Sequence, residues 1–363
     1  MIWFFRHVWN IVTQPGHGKR VFVGVSGGVD SSVAALVLKL YGYQVTGVFI
    51  KTWQPDWIEC TWRDERRDAI RVCAHLEIPF IELDLEQEYR QGVADYMISE
   101  YLKGRTPNPD VMCNREVKFG GFLKHAIKQG VDYVATGHYA QNINGQLVKG
   151  IDSDKDQSYF LWTLTCKQLE RILFPVGHLP KSVTRLIAAW YQLPTASKKD
   201  SQGICFIGDI NMKEFLGHYI EEKHGNVVNE QGKIIGFHKG VLFFTLGERH
   251  GFVITEKTID DRPYYVIGKD IEQNILTVSH DLSQNPIVQK IIITECVWRI
   301  IPKQDVLYTA QIRYHGEIKS CKVQIVNKQY TEIIFSEYDG TVAGGQSIVV
   351  FDGVVCIGGG IVR

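Results

Sequence analysis

The chain carries two hydrophobic rhythms. In its first half, short β-branched runs give way to stretches with apolar residues three and four apart, the pattern of a parallel sheet covered by helices on both faces. Val21, Phe22, Val23 and Val25 form the first run. Ser26-Gly27-Gly28 breaks it, and Val29, Val33, Ala34, Ala35, Leu36, Val37 and Leu38 follow, apolar on nearly every face, as expected of a helix packed against a sheet. Further strands are predicted over 44–50, 80–85 and 132–135. Thr61, with Asp64 at capping-box spacing, opens a helix whose buried stripe is Ala69, Ile70, Cys73, Ala74 and Leu76. Another helix covers about 86–102, ending near Gly104. A loop stiffened by Pro107 and Pro109 then leads into a helix that starts around 110–113 and runs to 129. Asn144-Gly145 predicts a hairpin turn.

From about residue 212 the rhythm changes. Residues 215–223 carry the last helical pattern. Short alternating runs follow at 264–267, 275–278, 291–293, 321–325, 333–335 and 348–351, the signature of a closed or nearly closed β-barrel. The expected fold class is therefore α/β, with a parallel-sheet domain over 19–211 after a leader of residues 1–18. A small linking domain over 212–285 and a C-terminal β-barrel over 286–363 complete it.

Composition sharpens this picture in three places. At 363 residues the chain exceeds one compact core. Forty Lys and Arg balance forty Asp and Glu, so any nucleic-acid contact must use local basic patches. Eight cysteines without a C-x-x-C pair indicate neither a zinc ribbon nor a disulfide scaffold and fit a reducing, cytoplasmic setting. The apolar start is interrupted at once by Arg6, His7 and Asn10, so it reads as neither a membrane span nor a signal peptide.

The strand, glycine turn and helix over 19–38 form an anion site, where backbone N–H groups and the helix dipole favour phosphate. It is neither a Walker loop, since Lys19 precedes the strand, nor a dinucleotide fingerprint. Ser26-Gly27-Gly28-Val29-Asp30-Ser31-Ser32 instead resembles the pyrophosphate-binding loop of the PP-loop ATP-pyrophosphatases, which split ATP between the α and β phosphates. Thr136-Gly137-His138 sits at a strand's C-terminal end, where open α/β sheets bind ligands.

Six motifs in order extend the likeness: GVSGGVDSS, GRTPNPDVMCN, ATGHY, DKDQSYFL, DSQGICFIG, and the terminal GGQSIVVFDG with CIGGGI. From about Arg20 to the C-terminus the chain resembles the bacterial tRNA-specific 2-thiouridylase family. That resemblance implies a PP-loop ATPase domain, a central domain and a β-barrel, with sulfur replacing the 2-carbonyl oxygen of the tRNA wobble uridine. It implies ATP contacts at Gly24, Val25, Ser26, Gly27, Gly28, Val29, Asp30, Ser31, Ile50 and Gly137. It implies tRNA contacts at Asn108, Pro109, Asp110, His138, Lys155, Asp156, Gln157, Arg313, Tyr314 and Gln346. Cys113 matches the nucleophile and Cys205 the persulfide carrier, the two forming a transient disulfide. The leader has no counterpart in the family pattern. Gly251-Phe252-Val253-Ile254-Thr255 is poorer in glycine than the family's central-domain loop.

The chemistry explains the combination. A uridine carbonyl oxygen is a poor leaving group, and adenylation lets it depart with AMP. Mg2+, held mainly by the triphosphate, would spread the developing charge. A cysteine persulfide supplies sulfur, and releasing its outer atom requires a second thiol to take the inner one. The donor is expected to be a relay protein or a cysteine desulfurase. Cys113 near a helix N-terminus, with Arg115 and Lys118 behind it, is placed to have a lowered pKa. Read from the residues alone, several positions stay open. Both cysteines also fit small buried hydrophobes, Asp110 a proton carrier or a helix cap, His138 a core histidine, and Arg313-Tyr314 an ordinary barrel strand. Two rival functions remain as well: a PP-loop synthetase delivering ammonia, which would want a glutaminase, and a tRNA-binding protein with a dead nucleotide site.

Overall fold

A computed structural model describes residues 16–58, 62–199, 212–255, 262–281, 290–336 and 342–363. Of the leader, residues 1–15 lie outside these, as do Thr61, Cys60 and residues 200–211 with Cys205. The described residues fall into two compact units, one within 1–93, 109–209 and 352–357, the other within 94–108, 210–351 and 358–363.

The first unit is built on a parallel sheet. Its strands are β1 (Arg20–Gly24), β2 (Gln44–Lys51), β3 (Phe80–Asp84), β4 (Tyr133–Ala135) and, after a hairpin of β5 (Ala140–Ile143) and β6 (Gln146–Lys149), β7 (Ile172–Leu173). Their order is β3-β2-β1-β4-β7, every pair parallel. The loop after β1 therefore opens at the middle of the sheet. Helix α1 (Val29–Leu40) is buried from Val33 to Leu38, which is why its sequence lacks a polar face. It packs in one core with Ala69, Val72 and Cys73 of α2 (Trp62–His75) and with Ile187 and Ala188 of the Lys181–Trp190 helix. The buried stripe of α2 is Ala69, Val72, Cys73 and, just past its end, Leu76, an i, i+3, i+4, i+7 set. Ala74 is exposed and Ile70 only half-buried, because both fall off that face. Asn144 and Gly145 take φ of 52° and 80°, the left-handed pair that a two-residue hairpin turn requires. Val148 of β6 pairs with Val355.

In the second unit, the helix expected over 215–223 is limited to Met212–Gly217, although Ile220 beyond it stays buried. Gly217 ends it, since glycine is a poor helix former. Strands β8 (Gly225–Val228), β9 (Ile234–His238), β10 (Val253–Ile254), β11 (Tyr265–Asp270) and β12 (Ile275–Ser279) form a central sheet in the order β10-β9-β8-β12-β11. The barrel follows: β13 (Lys290–Trp298), β14 (Tyr308–Gln311), β15 (Ile318–Ile325), β16 (Tyr330–Phe335), β17 (Ser347–Asp352) and β18 (Val355–Val362). Six strands run β13-β16-β15-β14-β17-β18 and close through β13–β18. Alternation puts Ile291, Ile293, Cys321, Val323, Ile333 and Phe335 inside. Among the described residues no helix is long and apolar enough to cross a membrane.

Candidate functional site

The loop between β1 and α1 is drawn tight by its serines. Ser31 Oγ accepts from the Ser26 N–H at 3.2 Å and donates to the Gly28 carbonyl at 3.2 Å, and Ser32 Oγ donates to the same carbonyl at 2.7 Å. Gly28 stands at the N-cap with no side chain to take up first-turn N–H groups, leaving that end suited to an outside anion. Gly27 has φ of +70°, and a Cβ there would lie 2.5 Å from the Glu65 carbonyl oxygen. Gly137 closes the other side, where a Cβ would lie 2.7 Å from the Ser31 nitrogen. The two motifs predicted to hold nucleotide thus meet in one place. Ile50 is buried near the C-terminal end of β2, opposite Leu83 of β3.

Asp30, in the first turn of α1, is the acidic group of this loop. Lys181 Nζ donates to both its carboxylate oxygens, at 2.7 and 2.8 Å, and Tyr139 Oη donates to Oδ1 at 2.9 Å. Sequence reasoning assigned neither partner a role. Tyr139 lay inside the ATGHY motif and could have been found there; Lys181, on a helix far along the chain, had no local signal. Beside the loop, burial pushes the Glu65 carboxyl up in pKa, Lys198 pulls it back and Asp68 adds to the rise. Lys198 Nζ pairs with Asp68 at 2.8 Å.

Only the Cys113 part of the expected thiol site falls among the described residues. Residues 109–128 are helical, through Pro109–Met112, Cys113–Gly121 with wide π-type turns, and Phe122–Lys128. Asp110 falls in the first turn, as a capping role needs, whereas Cys113 lies one turn in and is fully buried. Arg115 Nε pairs with the adjacent Glu116 at 2.6 Å, which offsets the cation expected to act on the thiol. Cys205 lies outside the described residues. Cys73 and Cys321 are buried, and desolvation raises their pKa values to about 11 and about 12, so they are inert thiols.

The positions matched to tRNA are used mostly within the fold. His138 is buried between Phe119 and Phe174, with Nδ1 2.7 Å from Thr136 Oγ1. Desolvation, then the nearby Lys118 charge, holds it well below the ordinary histidine range, which favours the neutral ring. Asp156 accepts from the Gly150 and Ser158 N–H groups and from Ser158 Oγ. Gln157 Oε1 accepts from the Tyr139 N–H at 3.0 Å, while the Lys155 N–H donates to the Asp152 carbonyl. In the second unit Arg313 Nη2 donates to the Leu246 carbonyl at 3.0 Å, and the Tyr314 ring lies against His315. Gln346 Oε1 accepts from the Ala343 N–H at 3.2 Å. The stretch before Asn108 is anchored as well. The Thr106 N–H donates to the Gly344 carbonyl at 2.7 Å, Arg105 pairs with the buried Glu100, and Lys269 Nζ donates to the Gly104 and Phe244 carbonyls.

Comparison with known proteins adds three matches along the chain. Residues 19–209 fit the model of the tRNA methyl transferase HUP domain, 213–280 the tRNA methyl transferase PRC-barrel domain and 288–362 the aminomethyltransferase beta-barrel domain. The tRNA-specific 2-thiouridylase MnmA of Bacillus subtilis (strain 168) is 43% identical over 355 residues, 94% of each chain. Its counterpart in Staphylococcus carnosus (strain TM300) is 44% identical over 351 residues, again 94% of each. That of Alkaliphilus oremlandii (strain OhILAs) is 44% identical over 349 residues, 94% of this chain and 96% of the relative. With a parallel sheet opening on a serine-glycine loop, a central domain, a closed six-stranded barrel and identity at this level along nearly the whole length, the chain belongs to the tRNA-specific 2-thiouridylase family.

Proposed function

We propose that the chain is a tRNA-uridine 2-sulfurtransferase acting in two stages: adenylation of the uridine 2-oxygen with release of pyrophosphate, then replacement of AMP by sulfur. The observation that carries the reading is the loop closed by Gly27 and Gly137, at both of which a side chain would collide with backbone. Residues 24–31, Ile50 and Gly137 would hold ATP. Mg2+ would ride on the triphosphate and neutralise charge on the bridging oxygen. Among the described residues no three His, Cys, Asp or Glu side chains gather as a metal site.

In the second stage a persulfide on Cys205 gives its outer sulfur to C2 of the adenylated base. The original oxygen leaves with AMP, and the Cys113 thiol takes the inner sulfur as a Cys113–Cys205 disulfide, which reductant reopens. Asp110, beside Asn108 and Pro109, is placed next to the target base, where it handles a proton or fixes the helix that carries Cys113. Lys155, Asp156, Gln157, His138, Arg313, Tyr314 and Gln346 make up the tRNA side, some of them by holding the surface in shape. A separate protein, either a persulfide relay or a cysteine desulfurase, loads Cys205, and the need for two thiols fits the cytoplasm. The working division is 19–211 for adenylation, 212–285 as link and 286–363 as tRNA-contacting barrel.

The test is direct. Protein, tRNA, ATP, Mg2+ and a persulfide source are incubated, the tRNA is digested, and nucleosides and nucleotides are separated. The expected products are 2-thiouridine, AMP and pyrophosphate. ADP as the main nucleotide, or pyrophosphate release without tRNA and without thiolation, rejects the reading.

A further inference from the structure

We infer that Lys181 and Tyr139 are positioning residues of the nucleotide site, which together fix the Asp30 carboxylate at the mouth of the loop. The inference rests on the adenylation reading above. Three hydrogen bonds converge on one carboxylate, two from Lys181 Nζ at 2.7 and 2.8 Å and one from Tyr139 Oη at 2.9 Å, which leaves it a single rotamer.

Both holding groups are fixed from the same loop. Gln157 brackets the Tyr139 backbone, accepting from its N–H at 3.0 Å and donating to its carbonyl at 2.8 Å. Asp152 Oδ2 accepts from the Lys181 N–H at 2.8 Å. The loop that carries the positions matched to tRNA is therefore bonded, through Gln157 and the neighbouring Asp152, to the backbone of both residues that orient Asp30.

Helix stability does not account for the pair. Lys181 is the first residue of its helix, the end where the dipole disfavours a cation. Asp30 already sits in the favourable first turn of α1 and needs no counter-ion there. The side chains are 11% and 31% exposed, a setting in which an ion pair adds little net stability. What the cluster does supply is a fixed charge pattern directly after Gly27 and Gly28.

The test uses Lys181→Met, Lys181→Arg, Tyr139→Phe and the neutral double variant Asp30→Asn/Lys181→Met in the full chain. Pyrophosphate release in the presence of tRNA is measured with kcat and the KM for ATP separated, alongside tRNA affinity and melting temperature. For Lys181→Met, kcat/KM for ATP should fall about 100-fold, with arginine recovering to within about tenfold and Tyr139→Phe losing about fivefold. Affinity for tRNA should not change. The double variant, which restores charge balance, should stay impaired. Recovery in the double variant would show a merely structural pair and overturn the inference. So would wild-type ATP kinetics in Lys181→Met, or, where that variant does not fold, wild-type kinetics in both Lys181→Arg and Tyr139→Phe. Failure of the wild-type protein itself to release pyrophosphate with tRNA rejects the adenylation reading instead.

Discussion

The glycine loop of the first unit and the Lys269 and Arg313 anchors of the second use charge differently. In the first, Asp30, Lys181, Glu65, Asp68 and Lys198 gather around the glycine loop, with Asp30 meeting Lys181 and Asp68 meeting Lys198 side chain to side chain. In the second, charges hold the chain to itself: Glu100 pairs with Lys103 and Arg105, Lys269 caps two carbonyls and Arg313 a third. A charged residue beside the glycine loop is therefore set against another side chain, and Lys269 and Arg313 against backbone. Substitutions at the glycine loop should alter kinetics before stability, and at the Lys269 anchor the order should reverse.

The largest contrast lies between two buried cysteines. Cys113→Ser should cut 2-thiouridine formation by about a thousandfold or more while pyrophosphate release persists, because adenylation does not use the thiol. Cys321→Ser in the barrel removes an inert, buried thiol and should cost about 1–2 kcal/mol of stability with thiolation rates unchanged. Single-turnover mass spectrometry of tRNA nucleosides, paired with thermal melts, reads both. Equal activity in the two variants would remove Cys113 from the mechanism.

Next in size is a pair of glycines in the first unit. Gly137→Ala sets a methyl against the Ser31 nitrogen, so it should raise the KM for ATP or lower kcat by about 100-fold in total. Gly47→Ala drives its methyl onto Cys73 Sγ inside the core. Overpacking of that kind should cost about 1–3 kcal/mol and leave the KM for ATP alone.

How far these roles could be read beforehand differs along the same line. The β1–loop–α1 unit was legible because its signals are local: a β-branched run, two glycines and a helix without a polar face. The hairpin at Asn144-Gly145 was legible for the same reason. Lys181 was not, because its partner is 151 residues away and only the sheet order brings them together. The α2 stripe was misjudged at Ile70 and Ala74, which fall off the buried face, and Val72, which completes its i, i+3, i+4, i+7 spacing, was left out. The anchoring of Arg105, Lys269 and Arg313 was invisible, since a lysine that caps carbonyls looks like any surface lysine until the chain is folded.

Lys269 gives the second unit a signature in pH. Burial pushes it down to about 8 from 10.5, with Glu248 opposing. The unfolded chain binds this proton more tightly than the folded one, so stability should rise with pH between about 8 and 10.5 and be flat, for this group, below that window. Lys269→Met should flatten the rise, and losing the bonds to the Gly104 and Phe244 carbonyls should cost about 1–2 kcal/mol. Urea titrations at several pH values check both, with ATP kinetics as the quantity that should not move.

The smallest effect is expected at Arg313, where the two uses of charge compete on one side chain. Its Nη2 donates to the Leu246 carbonyl and its Nε is buried, so an anchoring role within the unit and a phosphate contact would draw on the same guanidinium. Arg313→Ala should therefore weaken tRNA binding about three- to tenfold, reduce the salt dependence by about one released ion, and cost about 1 kcal/mol of stability. Arg313→Lys separates the contributions. A lysine keeps the phosphate charge but not the planar fork, so it should hold the salt slope while losing the stability. If both variants melt lower yet bind tRNA with an unchanged slope, Arg313 works only as an anchor between two segments of its own unit, and the tRNA-facing role of the bend after β14 falls.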